Sequence, residues 1–196
     1  MAQLFYHGHG SYRITGKTGV TVYIDPYAGE GYDKPADIIL VTHEHGDHNN
    51  VGLVPQKPGC RIVRSADVLH DGEYAMLTIC GVQIEAVQAY NGHHQKDECV
   101  GFILTLDGVT VYASGDTSET EQMKSFASRA IDWALLPIDG IYNMGPEEAS
   151  ACAKLIGAAH TIPIHMKPGA LFSKGCAEKF HANGRVIVKP GETVEL

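Results

Sequence analysis

Residues 42–48 of this 196-residue chain read Thr42-His43-Glu44-His45-Gly46-Asp47-His48, a stretch dense in imidazole and carboxylate groups. It follows the apolar run 38–41, which predicts a buried strand. A strand that ends in a glycine-containing loop delivers its side chains to one edge of a sheet, where α/β proteins bind ligands. Imidazole and carboxylate are ligands for Zn²⁺ and also for Mn²⁺ or iron. The stretch therefore predicts a metal site at this edge.

The spacing within the stretch leaves the number of metal ions open. His43 and His45 are two residues apart, so their side chains point to the same side of an extended backbone. Asp47 and His48 are adjacent and must diverge, which suits a second ion. One ion with four ligands is the simpler alternative from this stretch alone, and a hydrogen-bonded polar loop without metal is the other. The helix-borne zinc motif H-E-x-x-H is excluded, because Asp47 stands where its second histidine is required.

The composition predicts a globular protein and argues against several classes. With 44% hydrophobic and 19% charged residues, the chain is most simply one domain, 1–196, with a sizeable core. A net charge of −8 argues against nucleic-acid or anionic-membrane partners. Five scattered cysteines without a C-x-x-C pair predict neither a disulfide framework nor a cysteine zinc site. We find no signal-peptide pattern and no apolar run of membrane-spanning length, so we expect a cytoplasmic protein.

Local patterns predict several regular elements in the second half of the chain. Asp-Gly at 107–108, between two alternating runs, predicts a β-hairpin. A proline followed by two acids at 146–148 predicts the first turn of a helix that continues to residue 156. Residues 173–182 predict a closing helix, and residues 185–188 predict a strand.

Further candidate ligands follow three other predicted strands. His93 and His94 lie in a loop between strands, Asp116 follows the hairpin, and His165 ends a short apolar run. A catalytic zinc site needs at least three protein ligands, which these stretches could complete. For Asp116 the local alternative is that it, or the following threonine, caps a helix over residues 118–127.

The His-x-His-x-Asp-His pattern of residues 43–48 resembles the signature of the metallo-β-lactamase superfamily. The stretches 89–102 and 131–137 resemble its small-domain branch of metal-dependent hydrolases, in which a lactonase occurs. This resemblance covers essentially the whole chain and implies an α/β fold, the four-layer αβ/βα sandwich, with a mononuclear or dinuclear metal site at one edge. It leaves no room for the inserted domain of the large RNA-processing members.

The resemblance also implies which residues bind the metals. It assigns one ion to His43, His45 and His94 and a second ion to Asp47, His48 and His165. It gives Asp116 a bridging role between the two ions. Aligned on the strand start at residues 99–101, the family histidine falls on His94, with His93 as the alternative.

Three residues outside this set receive supporting or structural interpretations. The resemblance gives His9 a supporting role beside the ligands, whereas we interpret His7 as part of a polar turn. Asp25, followed by proline, either initiates a turn or serves as a buried acceptor that orients metal ligands.

Together these interpretations predict a hydrolase with two divalent ions. Zn²⁺ is the first choice of metal, and Mn²⁺ or iron is the second. A metal-bound hydroxide would attack a small, anionic ester, lactone or phosphodiester, with Asp47 orienting it and Tyr142 as a donor to the developing oxyanion. The alternatives are a nuclease or phosphodiesterase on nucleic acid and a non-enzymatic metal-binding module. The expected partner is a small-molecule substrate, and a homo-oligomer is compatible with the sequence.

Overall fold

Two six-stranded mixed sheets form the framework of the protein, and the computed structural model describes all residues from 1 to 196. The first sheet has the strand order β14-β1-β2-β3-β4-β5. Its strands are β1 Gln3–Gly8, β2 Ser11–Thr15, β3 Thr21–Ile24, β4 Ala36–Val41, β5 Gln56–Arg64 and β14 Thr193–Glu195. Strands β3, β4 and β5 are parallel, and the other pairs are antiparallel.

The second sheet repeats this arrangement with the order β13-β12-β11-β10-β9-β8. Its strands are β8 Met76–Ile79, β9 Val82–Gln88, β10 Val100–Leu106, β11 Val109–Ala113, β12 Trp133–Pro137 and β13 His160–Ile164. Strands β11, β12 and β13 are parallel. A short pair, β6 Leu69–His70 and β7 Glu73–Tyr74, lies between the sheets in sequence.

The helices are few and short. They are α1 Ser65–Val68, α2 Pro146–Ile156 and α3 Lys174–Ala177, with 3₁₀ helices at Val51–Leu53 and Glu121–Arg129. None of them is long and apolar enough to cross a membrane.

The main core lies between the two sheets. It contains 25 buried residues, to which both sheets contribute, such as Ile38 and Leu40 from β4 and Phe102 and Leu104 from β10. A second core of 18 residues lies between the outer face of the second sheet and the α2 region. Side chains alternate across a strand, so each sheet delivers one set of residues inward and another outward.

The outer face of the first sheet is covered differently. Ile39 and Val41 of β4 face outward into a cluster of only five buried residues, which is completed by Val54 and the partly buried Tyr32 and Val51 from connecting segments. Both faces of β4 are thus buried, which explains its unbroken apolar sequence. The predicted αβ/βα sandwich is confirmed in its two-sheet core, with loops and short helical turns forming most of the layer over the first sheet.

The strongest local predictions are confirmed. β10 and β11 form the hairpin, and Asp107 and Gly108 have φ of 54° and 84°, the left-handed conformations that this two-residue turn requires. α2 begins at Pro146 and ends before Gly157, whose φ of 69° closes the helix.

Three predicted elements are wrong in extent or kind. The helix expected over 118–127 is instead a 3₁₀ helix at Glu121–Arg129, which starts only after Thr120, whose backbone is extended with φ −111° and ψ 153°. Of the helix expected over 173–182 only Lys174–Ala177 forms, since the Arg185 guanidinium bonds to the carbonyls of residues 178 and 180. Residues 185–188 form a single bridge to Thr161 rather than a strand.

Candidate metal centre

The candidate ligands converge at one edge of the two sheets. Residues 43–48 follow β4, Asp116 lies three residues after β11, and His165 directly follows β13. These three strands belong to the parallel parts of their sheets, whose carboxyl ends are the usual location of binding sites in α/β proteins. His94 reaches the same edge from the loop between β9 and β10.

Asp116 lies at the middle of this edge. Its Oδ1 is 3.4 Å from His48 Nε2, and its Oδ2 is 3.4 Å from His94 Nε2 and 3.2 Å from His165 Nε2. The carboxylate is 4% exposed and so faces histidine nitrogens rather than water. Asp116 thus lies near candidate ligands from both halves of the chain, as a bridging ligand would. These contacts account for its burial without a helix-capping role.

Three groups of side chains have ligand atoms close enough to share an ion. One consists of His43, His45 and His94, and another of His9, Asp47, His48 and His165, each with ligand atoms within 4.8 Å of one another. The third, Asp25, His43 and His48, overlaps these two groups. The structure therefore brings the seven candidate ligands to one place, and their binding of metal stays a prediction. It adds His9 to the second group.

Hydrogen bonds at the Nδ1 atoms determine which ring nitrogen of each histidine is free. Nδ1 of His43 donates to Thr42 Oγ1 at 2.9 Å, because the threonine hydroxyl itself donates to Asp25. Nδ1 of His48 donates to Asp25 Oδ2 at 2.8 Å, and Nδ1 of His94 donates to Asn91 Oδ1 at 3.0 Å. This leaves an Nε2 lone pair on each ring, the tautomer required of a metal ligand.

The free Nε2 atoms provide the test of whether a metal fits. Nε2 of His43, His48 and His165 are buried and have no hydrogen-bond partner. Buried polar atoms are almost always paired, so three unpaired imidazole nitrogens around one carboxylate require an explanation. Cations held in the two ligand groups, one by His43 and the other by His48 and His165, would satisfy all three nitrogens, and imidazole with carboxylate is a donor set suited to Zn²⁺.

The electrostatics of the centre favour positive charge. Burial lowers the pKa of His43 to about 2, with the neighbouring His48 adding to the effect, so this ring is a neutral donor. Burial alone would raise the pKa of Asp116, but the imidazoles of His48 and His165 hold it well below its usual range. The His165 imidazole, with Nε2 3.7 Å from Asp47 Oδ2, and the hydrogen-bonded His9 likewise hold the pKa of Asp47 well below its usual range. Both carboxylates are therefore ionised and would attract a cation.

A bridge of polar side chains connects ligands of the two groups. From His94 it continues through Asn91 to Asn143, where Asn91 Nδ2 donates to Asn143 Oδ1 at 3.2 Å. Asn143 Nδ2 donates to Asp139 Oδ2 at 2.9 Å, and the same oxygen lies 2.9 Å from His165 Nδ1. The bridge thus joins His94 to His165 outside the ligand set.

Sequence reasoning missed the three residues of this bridge. Asn91, Asp139 and Asn143 follow the ends of β9 and β12, where short polar residues commonly form turns. That position was the only signal, and it does not distinguish a turn residue from a partner of a metal ligand.

The supporting residues near the first motif have mixed outcomes. Asp25 is a buried acceptor, since it receives hydrogen bonds from Thr42 N, Thr42 Oγ1 and His48 Nδ1. His9 lies beside Asp47, with Nε2 3.1 Å from Oδ2, as its supporting role predicted. The polar-turn interpretation of His7 is wrong: His7 is 1% exposed in β1 and stacks on Tyr32 with ring centroids 4.0 Å apart.

A cavity of about 390 Å³ opens onto the centre. Its lining consists of five candidate ligands together with His93 and Tyr142: His45, Asp47, His93, His94, Asp116, Tyr142 and His165. His94 is 3% exposed, whereas Tyr142 is 47% exposed with its ring 5.4 Å from that of His93. His94 thus lies where a ligand is expected and His93 where substrate would be contacted. A larger cavity, of about 820 Å³, lies at the end of α2 and contains none of the candidate ligands.

Comparison with known proteins agrees with this geometry. The family model for the beta-lactamase superfamily domain matches residues 3–165. The chain belongs to the metallo-β-lactamase superfamily. A metal-dependent hydrolase from Pyrococcus furiosus is 34% identical to this superfamily member over the full length of both chains.

Two solved structures of other proteins share the fold. A protein from Parabacteroides distasonis, described as a metal-dependent hydrolase, superposes with a TM-score of 0.76 and 26% identity, over 97% of this chain and 93% of that one. A metallo hydrolase from Ignicoccus hospitalis superposes with a TM-score of 0.75 at 23% identity, over 98% and 97% of the two chains. The predicted superfamily and fold class are thereby confirmed.

Proposed function

We propose that this protein is a metal-dependent hydrolase with a dinuclear centre, most naturally of Zn²⁺, that acts on a small ester, lactone or phosphodiester. The observation that carries the proposal is the set of buried, unpaired Nε2 atoms, on His43 from one ligand group and on His48 and His165 from the other, near the central carboxylate of Asp116. His43, His45 and His94 would hold one ion; Asp47, His48 and His165 would hold the other; Asp116 would contact both. When bound, such ions activate water for attack and polarise a carbonyl or phosphoryl oxygen.

The surrounding residues would position the attacking water and the substrate, and would not activate the water further. Asp47 is half-exposed at the cavity and held by His9, so it can orient an attacking water. Tyr142 extends into the same cavity from a loop whose backbone N–H groups bond to Asp139 Oδ1. Its hydroxyl would donate a hydrogen bond to the oxygen on which negative charge develops.

The size and charge of the site support a small substrate over nucleic acid. A 390 Å³ cavity is of the size that binds a small molecule. A dinuclear centre attracts an anionic reacting group locally, whereas a polyanion needs basic surface along many phosphates. The chain has 15 basic against 23 acidic residues, which does not provide that surface. A non-enzymatic module is the other alternative, but the exposed His45 and the open cavity leave room for water and substrate.

The test combines metal analysis with a substrate panel. We expect about two zinc ions per chain in protein purified without chelator, and hydrolysis of at least one lactone, carboxylic ester or phosphodiester. Chelation should abolish turnover and zinc should restore it. The matched variants are Asp116→Asn and Asp71→Asn, of which the second changes an exposed turn residue far from the ligand set in sequence. Turnover by metal-free protein would overturn the hydrolase proposal, and steeply salt-dependent cleavage of RNA or DNA would favour the nuclease.

A further inference from the structure

A second cavity adjoins the metal centre. It has a volume of about 520 Å³ and shares His45 with the cavity that contains Tyr142. His43, from the same ligand group, also contributes to its wall. A substrate held with its reacting group at the centre could therefore extend past His45 into this second space.

One buried polar group in its wall lacks a partner. Ser65 is 6% exposed and lines the cavity, and its hydroxyl forms no hydrogen bond within the protein. Because the hydroxyl faces the cavity without a protein partner, it is available to donate or accept a hydrogen bond with a ligand there. Beside it, Leu69 and Cys99 are both more than nine-tenths buried and form an apolar part of the wall.

The charges around this cavity are negative. Asp97 and Glu98 line it, are exposed and belong to no ion pair, whereas the carboxylate of Glu44 is paired with Arg64. Lys96 does not neutralise them, because its ammonium lies over the Tyr90 ring at 5.4 Å. Two free carboxylates at the mouth of a partly apolar cavity favour a cation and disfavour an anion.

We propose that this cavity is a subsite for the remote end of the substrate, and that this end is a protonated amine on a short apolar chain. The inference rests on the proposed function and deepens it. The substrate would present its ester, lactone or phosphodiester to the metals and its ammonium group to Asp97 and Glu98. The apolar chain would contact Leu69, and the Ser65 hydroxyl would accept a hydrogen bond from the ammonium group.

The first experiment measures binding without turnover. Isotope-labelled, zinc-loaded protein is titrated by NMR with benzylamine, and separately with benzoate as the anion of matched size. We expect benzylamine to shift the amide signals of Ser65, Leu69 and Cys99, and to bind about tenfold more weakly to the double variant Asp97→Asn/Glu98→Gln. The charge-matched control, Glu147→Gln/Glu195→Gln, changes two exposed carboxylates outside the cavity and should bind benzylamine like the parent protein.

A second variant guards against indirect effects. Leu69→Trp fills the cavity while leaving its carboxylates in place, and it should also weaken benzylamine binding. The subsite is overturned if benzoate, like benzylamine, binds more weakly to Asp97→Asn/Glu98→Gln than to its control, or if Asp97→Asn/Glu98→Gln binds benzylamine as well as its control does.

A hydrolysis experiment distinguishes failure of the proposed subsite from failure of the proposed function. Phenyl 6-aminohexanoate and phenyl hexanoate differ only in the remote amine. We expect the amine to raise kcat/KM about tenfold in the parent protein and in the Glu147→Gln/Glu195→Gln control, but not in Asp97→Asn/Glu98→Gln. If neither ester is hydrolysed while benzylamine binding depends on the two carboxylates, the ester-hydrolase assignment fails and the subsite is supported. Equal kcat/KM for both esters in the parent protein would overturn the subsite.

Discussion

Asp139 Oδ2 lies 2.9 Å from Nδ1 of His165, while Oδ1 of the same carboxylate accepts the backbone N–H groups of residues 141 to 143. One buried side chain therefore holds a candidate metal ligand and organises the loop that carries Tyr142. These hydrogen bonds hold the pKa of Asp139 at about 2, against the opposing effect of burial. The ligand and the substrate-contacting loop are thus fixed to a common ionised carboxylate.

Asp139→Asn tests this connection. The amide retains the size of the carboxylate but lacks its charge, so it would stabilise the His165 ring less well as a metal ligand. We expect zinc affinity to fall by about 10- to 100-fold, the usual effect of losing a partner of a metal ligand. Zinc competition with a chromogenic chelator measures it, with Asp71→Asn as the control. Equal zinc affinity in the two variants would contradict the positioning role.

The choice between His93 and His94 is decided by a pair of variants. His94 is buried with Nδ1 bonded to Asn91, and His93 lies at the cavity beside Tyr142. His94→Ala should therefore reduce zinc affinity by more than about 100-fold, because a direct ligand contributes more than its supporting partners. His93→Ala should leave zinc affinity unchanged and act on KM. The reverse pattern would show that the alignment of this loop is displaced by one residue.

Asp116→Asn tests the central carboxylate. Because each Asp116 oxygen faces imidazole nitrogens, the proposal gives one oxygen to each ion, and an amide would serve both poorly. We expect fewer than two zinc ions per chain and at least about a 100-fold loss of turnover, with the circular dichroism spectrum retained. Elemental analysis after gel filtration provides the count. Two zinc ions and full turnover would reduce Asp116 to a structural residue.

His7 predicts an acid-sensitive stability that is independent of metal. Burial lowers the pKa of His7 from 6.5 to about 4. Between these values the unfolded chain binds a proton that the folded protein does not, so stability is complete above pH 6.5 and falls as the pH decreases towards 4. The loss attributable to His7 approaches about 3 kcal/mol.

Urea unfolding of the metal-free protein at several pH values measures this effect. His7→Phe keeps the stacking on Tyr32 but cannot be protonated, so its stability should depend less on pH over this range. The difference between the two proteins isolates His7 from the other histidines. Parallel pH curves would contradict a suppressed protonation of His7.

The predictions from sequence succeeded where local chemistry determines the structure. Asp107-Gly108 fixes its hairpin turn, and the proline and glycine at the ends of α2 fix its boundaries. The 43–48 motif locates the centre because its ligand types have few other uses at that spacing. These features depend on residues that are close together in the chain, so a sequence pattern is sufficient to identify them.

The failures depend on contacts between distant segments. His7 is buried only because Tyr32, from another segment, stacks on its ring. The side-chain bridge connects Asn91 to Asn143, which are 52 residues apart, and neither residue carries a local mark of that contact. The residues before the 3₁₀ helix at Glu121–Arg129 contact a distant segment, since the Ser118 N–H bonds to Tyr90 O, and Thr120 is extended rather than helical. Local propensity contains no information about such partners.

Because the ligands come from both sheets, the order of biosynthesis matters for metal loading. His43, His45, Asp47 and His48 are made first, and His165 follows only after both sheets' parallel strands have been translated. At about 5–20 residues per second, roughly 6 to 23 seconds separate His48 from His165. If these residues bind metal as proposed, the loop emerges with four of the ligands and without His94, Asp116 and His165. The complete centre can therefore select its ion only after translation has passed His165.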